Sequence, residues 1–165
     1  MRQLVREFHG VASEKPDIFI FQYGRFCEPL AISAYEWETG RQVMPCGFFP
    51  FEDWLGASPD GLLFDDGLAE FKSPWNLRDA ANAPNFIEIL PEYYAQVQIE
   101  LLCTGRAWCD FVQWCPMGYK IERFFRDDNW LNLYLPILKD FHNEFKKELK
   151  NLTHLEPLPK RGNVS

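Results

Sequence analysis

Apolar positions in this chain switch between a spacing near three to four residues and strict alternation, the signatures of amphipathic helix and half-buried strand. Leu4, Val5 and Phe8 mark a short helix over residues 3–10, followed by a loop to Pro16. Asp17 reads as the next helix N-terminus. From residue 18 to about 37, Phe21, Phe26, Leu30, Ala34 and Trp37 recur every three to five residues and predict one apolar helical face. Pro29 predicts a kink or restart near Glu28, and Gly40 a C-cap.

The middle of the chain reads as strands. Residues 48–54 are aromatic-rich, with Pro50 favouring an edge, and they lead into Ser58-Pro59-Asp60-Gly61. Asp60 falls at the end of a short strand. Asp65-Asp66-Gly67 then reverses the chain into residues 68–72, where Ala69 and Phe71 face a core while Glu70 and Lys72 share the other side. Ser73-Pro74 ends that strand, and residues 75–91 form a long loop with at most a short helix, a length that next to a strand end is usually functional. Pro91 suits the first position of a helix through Leu102, closed by Thr104-Gly105. Residues 106–114 alternate Trp108, Asp110, Val112 and Trp114 against Ala107, Cys109, Phe111 and Gln113. A turn at Pro116-Met117-Gly118 predicts their antiparallel pairing with residues 119–125. Asp127-Asp128 starts a terminal helix with Trp130, Tyr134, Ile137, Phe141 and Phe145 on one face. Pro136 should bend it, and Lys139, Lys146, Lys147 and Lys150 lie off that face as a solvated surface. The expected fold is α/β, a mixed central sheet with helices on both faces.

Candidate chemistry sits between the two middle strands. A lone Glu-x-Lys is an ordinary strand face and a lone Asp-Gly an ordinary turn. Together, with Glu70 ten residues past Asp60 and Lys72 two further on, they bring two acids and a lysine to one place. Hydrolysis of a phosphodiester needs phosphate charge neutralised and a water made nucleophilic, which carboxylate-held Mg²⁺ or Mn²⁺ does. A lysine beside the metal orients or deprotonates that water. The pattern points to a metal-dependent nuclease core.

The Ser58-Pro59-Asp60-Gly61 turn, the run Glu70-Phe71-Lys72-Ser73-Pro74 and the later Tyr93-Tyr94-Ala95-Gln96-Val97-Gln98 resemble the YqaJ-type viral recombinase family, the lambda-exonuclease-like branch of the PD-(D/E)XK nucleases. The order of elements is similar from about residue 3 to 145. The resemblance implies a restriction-endonuclease-like core and a Mg²⁺-dependent 5′ to 3′ exonuclease, with Mn²⁺ able to substitute, that digests one strand of linear duplex DNA. Such enzymes serve viral recombination by single-strand annealing. It implies that Asp60, Glu70 and the Phe71 carbonyl hold the metal, that Lys72 positions the water, and that Gln96 braces Lys72. On the residues alone Glu28 is a surface glutamate and Gln96 an exposed helical amide; the resemblance moves both to the active site. Arg78, otherwise an exposed loop arginine, is implied to grip a terminal 5′-phosphate, which a planar guanidinium suits. Arg25 reaches a phosphate or is solvated. Tyr93, on the same helical face as Gln96, completes the candidate substrate-binding set. The relatives form ring-shaped homotrimers and work with a single-strand annealing protein, so both are expected partners. Against them the chain is expected to lack an N-terminal stretch that contributes to DNA-end binding.

The charge balance qualifies this picture without overturning it. Seventeen Lys and Arg against 24 Asp and Glu give a net charge of −7, which excludes passive coating of DNA but not an enzyme whose cations line one channel. The 165 residues suit one domain, expected over 1–152 with a flexible tail at 153–165. Cys27, Cys46, Cys103, Cys109 and Cys115 form no C-x-x-C pair, and the even spacing of the last three does not match an iron-sulfur or zinc motif; reduced thiols are expected. With no signal peptide or long apolar span, a cytoplasmic protein of a bacterial host, phage- or prophage-encoded, is expected. Two other readings share these residues: a structure-specific or restriction-like endonuclease, which would cut closed circles, and a non-catalytic interaction module, which would bind no Mg²⁺ or Mn²⁺.

Overall fold

The computed structural model describes residues 18–79 and 84–152; the expected helix over 3–10 and the tail from 153 lie outside them. The described chain falls into two compact units, one within Pro16–Leu131 and one containing residues 132–152.

The first unit is built on a four-stranded mixed sheet in the order β3 (Gly61–Leu63), β4 (Gly67–Lys72), β5 (Trp108–Cys115) and β6 (Gly118–Phe125). The outer pairs are antiparallel hairpins, while β4 and β5 run parallel with Glu70 opposite Phe111. A parallel pair needs a crossover, and α2 (Pro91–Thr104) supplies it, starting on Pro91 and ending on Gly105 in the left-handed conformation at φ 69°. A separate antiparallel hairpin joins β1 (Phe49–Phe51) to β2 (Leu55–Ala57). The aromatic run is therefore outside the main sheet. Asp60 lies three residues past β2 and immediately precedes β3, so it stands at the start of a short strand and not, as expected, at the end of one.

Both faces of β4 are buried. Ala69 and Phe71 pack with Val112 and Trp108 of β5 and with Ala31 and Tyr35 of α1 (Ile18–Thr39). On the opposite face Leu68 packs with Cys109, Phe111 and the α2 residues Val97 and Leu101. Glu70 shares this second face, so it projects into a covered interior instead of toward solvent. Gly67 of β4 lies against Trp108 of the neighbouring β5, where an added Cβ would clash with the indole ring.

Helix α1 corrects the expectation from periodicity. It passes through Pro29 without a break, and the residues that reach the sheet are Cys27, Ala31 and Tyr35. The predicted face points outward: Phe26 is 70% exposed and Trp37 89%. Spacing counted apolar mass, whereas the contact is made by small Cys27 and Ala31 together with Tyr35, whose hydroxyl donates to Asp110 of β5. The terminal helix α3 (Asp128–Leu152) likewise runs through Pro136. Its first turn is capped where the Trp130 amide donates to Asp127 Oδ1 at 2.9 Å.

Candidate active site

Asp60 is attached to the catalytic strand by the backbone. The β3–β4 ladder ends at the Gly61–Ala69 pair, leaving the next amide of β4 beyond it, and Phe71 N donates to Asp60 Oδ2 at 2.8 Å. The carboxylate is thereby pinned between the two residues on either side of Phe71.

Those two residues are directly bonded. Lys72 Nζ donates to Glu70 Oε1 at 2.6 Å. Gln96 Nε2, from α2, donates to the same oxygen at 2.6 Å and to Glu100 Oε1 at 2.8 Å. Gln96 does not brace Lys72; it bridges two carboxylates, with both amide hydrogens committed. The group against Lys72 is Tyr93, whose ring centroid lies 5.2 Å from Nζ. Glu70 is 1% exposed and Glu100 2%. In each the second oxygen, Oε2, is buried and without a hydrogen-bond partner.

This arrangement carries surplus negative charge. Burial, reinforced by Glu100 and Asp60, pushes the Glu70 carboxyl up to about 8 against the opposing pull of Lys72. Burial also lifts Glu100 to about 7, although its bond from Gln96 works the other way. Glu28 is raised by burial and by Asp60. Burial on its own would lower Lys72, but the charge and hydrogen bond of Glu70 outweigh it, so the amine is raised and stays an ammonium.

The donor set fits a hard divalent cation. An unpartnered buried carboxylate oxygen on Glu70, with Asp60 beside it, is the environment a cation relieves. Among the described residues no three His, Cys, Asp or Glu are arranged to enclose a metal. A Mg²⁺ ion, which keeps several waters and takes one or two carboxylates plus substrate oxygens, does not need such a cage. The cleft over this site has a volume of about 320 Å³ and is lined by Arg25, Glu28, Asp60, Phe71, Lys72 and Tyr93, with Phe21 at its rim.

Arg78 lies elsewhere. It stacks over the Trp75 ring at 4.1 Å, donates to the Trp75 carbonyl at 2.9 Å and pairs with exposed Asp79 at 3.0 Å. It lines neither this cleft nor the cavity beside it.

Glu100 is the residue that sequence reasoning passed over, although it stands one helical turn after Gln96 on the same face. The packing of its helix neighbours Val97 and Leu101 against the sheet carries it into the interior. A second buried acid, Asp110, serves architecture. It accepts Tyr35 Oη at 2.7 Å, Arg41 at 3.2 Å and a two-pronged bond from Arg123 at 2.7 and 2.9 Å, while Arg123 stacks 3.7 Å from Trp108. This ties α1, which carries Arg25 and Glu28, to β5 and β6.

A mixed sheet with an Asp before one strand and Glu-x-Lys on the next defines a PD-(D/E)XK-like nuclease fold. The family model of the YqaJ-like viral recombinase domain matches residues 6–107, and the chain belongs to that family. An alkaline exonuclease from Laribacter hongkongensis is similar at 31% identity and a TM-score of 0.73, over 92% of this chain and 80% of that one. The same enzyme in complex with dAMP gives a TM-score of 0.74 at the same identity and coverage. A phage-related exonuclease from Haemophilus somnus 129PT, 12% identical with a TM-score of 0.73 over 92% of this chain and 81% of that one, shares the fold. No curated protein matches the sequence. Among the described residues no helix is long and apolar enough to cross a membrane.

Proposed function

We infer that this protein is a Mg²⁺-dependent exonuclease that digests one strand of linear duplex DNA from its 5′ end. The observation that carries the reading is the buried Glu70 carboxylate, with one oxygen held by Lys72 and Gln96 and the other left free beside Asp60. Membership of the recombinase family and the likeness to an alkaline exonuclease support the reaction class.

Asp60 and Glu70, with the Phe71 carbonyl as a third oxygen, would hold Mg²⁺ or Mn²⁺. When bound, the ion neutralises phosphate charge and acidifies water. Gln96 and Lys72 saturate Glu70 Oε1, so Oε2 is the oxygen that would hold the ion. The Lys72 ammonium faces the cleft, where it orients the attacking water and the scissile phosphate. Tyr93 limits where that ammonium can move. Arg25 and Glu28, at the cleft mouth, set the approach of the backbone: Arg25 takes a phosphate, and Glu28 adds a carboxylate to the metal side.

The 5′ polarity rests on the family resemblance and on Arg78. To take a terminal phosphate, Arg78 must exchange Asp79 for it; Asp79 is exposed and a weak partner, and Trp75 already orients the guanidinium. The apolar side chains left outside on α1 support a homotrimer, which would keep a chain of net charge −7 on a polyanion by enclosing it. Cooperation with a single-strand annealing protein in viral recombination, in the cytoplasm of a bacterial host, completes the reading.

Its test is digestion of duplexes labelled separately at the 5′ and 3′ ends, with closed circular DNA alongside. Release of 5′ label as mononucleotide and an intact circle are expected. Early release of 3′ label contradicts the polarity, and cutting of the circle establishes the endonuclease instead.

A further inference from the structure

Residues 93–98 of α2 supply Tyr93 and Gln96 to the active site, while Tyr94 and Gln98 take no part in it. With ~3.6 residues per turn, Gln98 leaves the helix about 200° round from Gln96. It is 0% exposed, yet its amide is engaged at both ends. Nε2 donates to the Phe125 carbonyl at 3.0 Å, and Oε1 accepts the Asp127 amide at 2.7 Å. Arg126, between them, donates its own amide to the Ala107 carbonyl at 2.9 Å. The Phe125 carbonyl and the Asp127 amide therefore face away from Ala107, and Gln98 supplies the partners they would otherwise lack.

The stretch that Gln98 grips is itself fixed. Asp127 Oδ1 accepts the Trp130 amide at the start of α3, and Oδ2 accepts Tyr94 Oη at 3.2 Å. The Tyr94 ring meets Phe124 and Trp130 edge-on, with centroids 5.8 and 6.0 Å away. Tyr94 and Gln98 lie four apart on one face of α2, so both tie that face to residues 124–130. Gln96 reaches Glu70 from the other side of the helix.

That reach is sensitive to rotation. Side chains extend ~5–6 Å from a helix axis, so a turn of about 20° would carry the Gln96 amide ~2 Å and break its 2.6 Å bond to Glu70. Val97 and Leu101 hold α2 on the sheet, but apolar contact is non-directional and leaves such a turn open. Hydrogen bonds are directional, and the two at Gln98 set the angle.

We propose that Gln98, with Tyr94 as a second tie, is a positioning residue for the reaction at Glu70. It fixes the rotation of α2 at which Gln96 meets the Glu70 carboxylate, and it acts on the reaction through Gln96. The proposal rests on the nuclease reading of the site. It adds that the chain joining β6 to α3 is part of what aligns the active site.

The test is steady-state digestion of linear duplex in Mg²⁺ by the wild type, Gln98→Met, Gln96→Ala and the double variant. Methionine keeps the length of the side chain and removes both hydrogen bonds. Gln98→Met should lower kcat roughly tenfold to a hundredfold with KM nearly unchanged, the effect of a misplacement of about 1 Å. Gln96→Ala should lose a similar factor, and the double variant no more than Gln96→Ala alone, because substitutions acting through one contact do not multiply. If Gln98→Met folds poorly by circular dichroism, Tyr94→Phe, which keeps both ring contacts, takes its place with a smaller loss of roughly twofold to tenfold. In whichever variant is used, an unchanged kcat, a KM effect as large as the kcat effect, or a loss that multiplies with that of Gln96→Ala overturns the proposal. The two readings fail separately: absence of digestion by the wild type removes the nuclease assignment, whereas digestion with multiplying losses removes only the positioning role.

Discussion

At the scale of single residues, the site holds one oxygen of Glu70 with two donors and leaves the other without a hydrogen-bond partner. Glu100 is part of that device, because it takes the second hydrogen of the Gln96 amide and so keeps Nε2 turned toward Glu70. Glu100→Ala should release the amide and lower kcat for DNA digestion by roughly tenfold to a hundredfold, the equivalent of one hydrogen bond to a charged group at ~1.5–3 kcal/mol. KM should change little, and Glu100→Gln, which keeps an acceptor, should recover most of the loss. A KM effect as large as the kcat effect would place Glu100 in substrate binding instead. Asp110 is the contrasting case, a buried acid that positions elements and not substrate. Asp110→Asn should cost roughly 3 kcal/mol in urea unfolding, because Arg123 and Arg41 lose a charged acceptor. A loss below about 0.5 kcal/mol, the range of ordinary surface substitutions, would contradict that role. Asp60, Glu70 and Lys72 were legible from spacing alone. Glu100 and Asp110 were not, because a buried acid and an exposed one look alike until the packing around them is known.

At the scale of elements, β4 concentrates the energetics. Its hydrophobic alternation was readable, and so were β5, β6 and the limits of α2, since Pro91, Gly105 and Gly118 punctuate the chain where it turns. What alternation could not say is that α2 covers the Glu70 face. The burial that results has a pH signature. Glu70 and Glu100 sit at about 8 and about 7, above the ordinary carboxyl value of 4.5, so the folded chain holds protons that the unfolded chain has released. The metal-free protein should therefore lose stability as pH rises from about 5 to about 8, and should be flat below that window and again above it. Mg²⁺ or Mn²⁺ should offset the loss most at the upper end, where the Glu70 carboxyl has given up its proton. Thermal melts in chelator and in metal across that range measure both effects. A metal-free curve flat from 5 to 8, or a metal effect larger at 5, would contradict the burial of the two acids together. Helix α1 shows the opposite failure of legibility: its large apolar residues signalled a core face, yet small Cys27 and Ala31 are the ones that let it approach the sheet.

At the scale of the whole molecule, the consequence of that inversion is an outward apolar surface on α1. Phe26→Asp with Trp37→Asp, both at exposed positions, should leave the circular dichroism and melting of the chain nearly unchanged and shift its sedimentation from a trimer to a monomer. A wild type that sediments only as monomer at micromolar concentration would remove the ring from the account. The nuclease assignment does not depend on that outcome, since Asp60, Glu70, Lys72, Gln96 and Glu100 meet within one chain. It depends on Lys72. The most direct test is hydrolysis of a linear duplex in Mg²⁺ by the wild type and by Lys72→Ala, measured beside their binding of the same DNA. The account predicts release of mononucleotides by the wild type, a loss of ~10²–10⁴-fold in the variant, and closely similar binding by both. Retention of more than about a tenth of wild-type turnover by Lys72→Ala would contradict it.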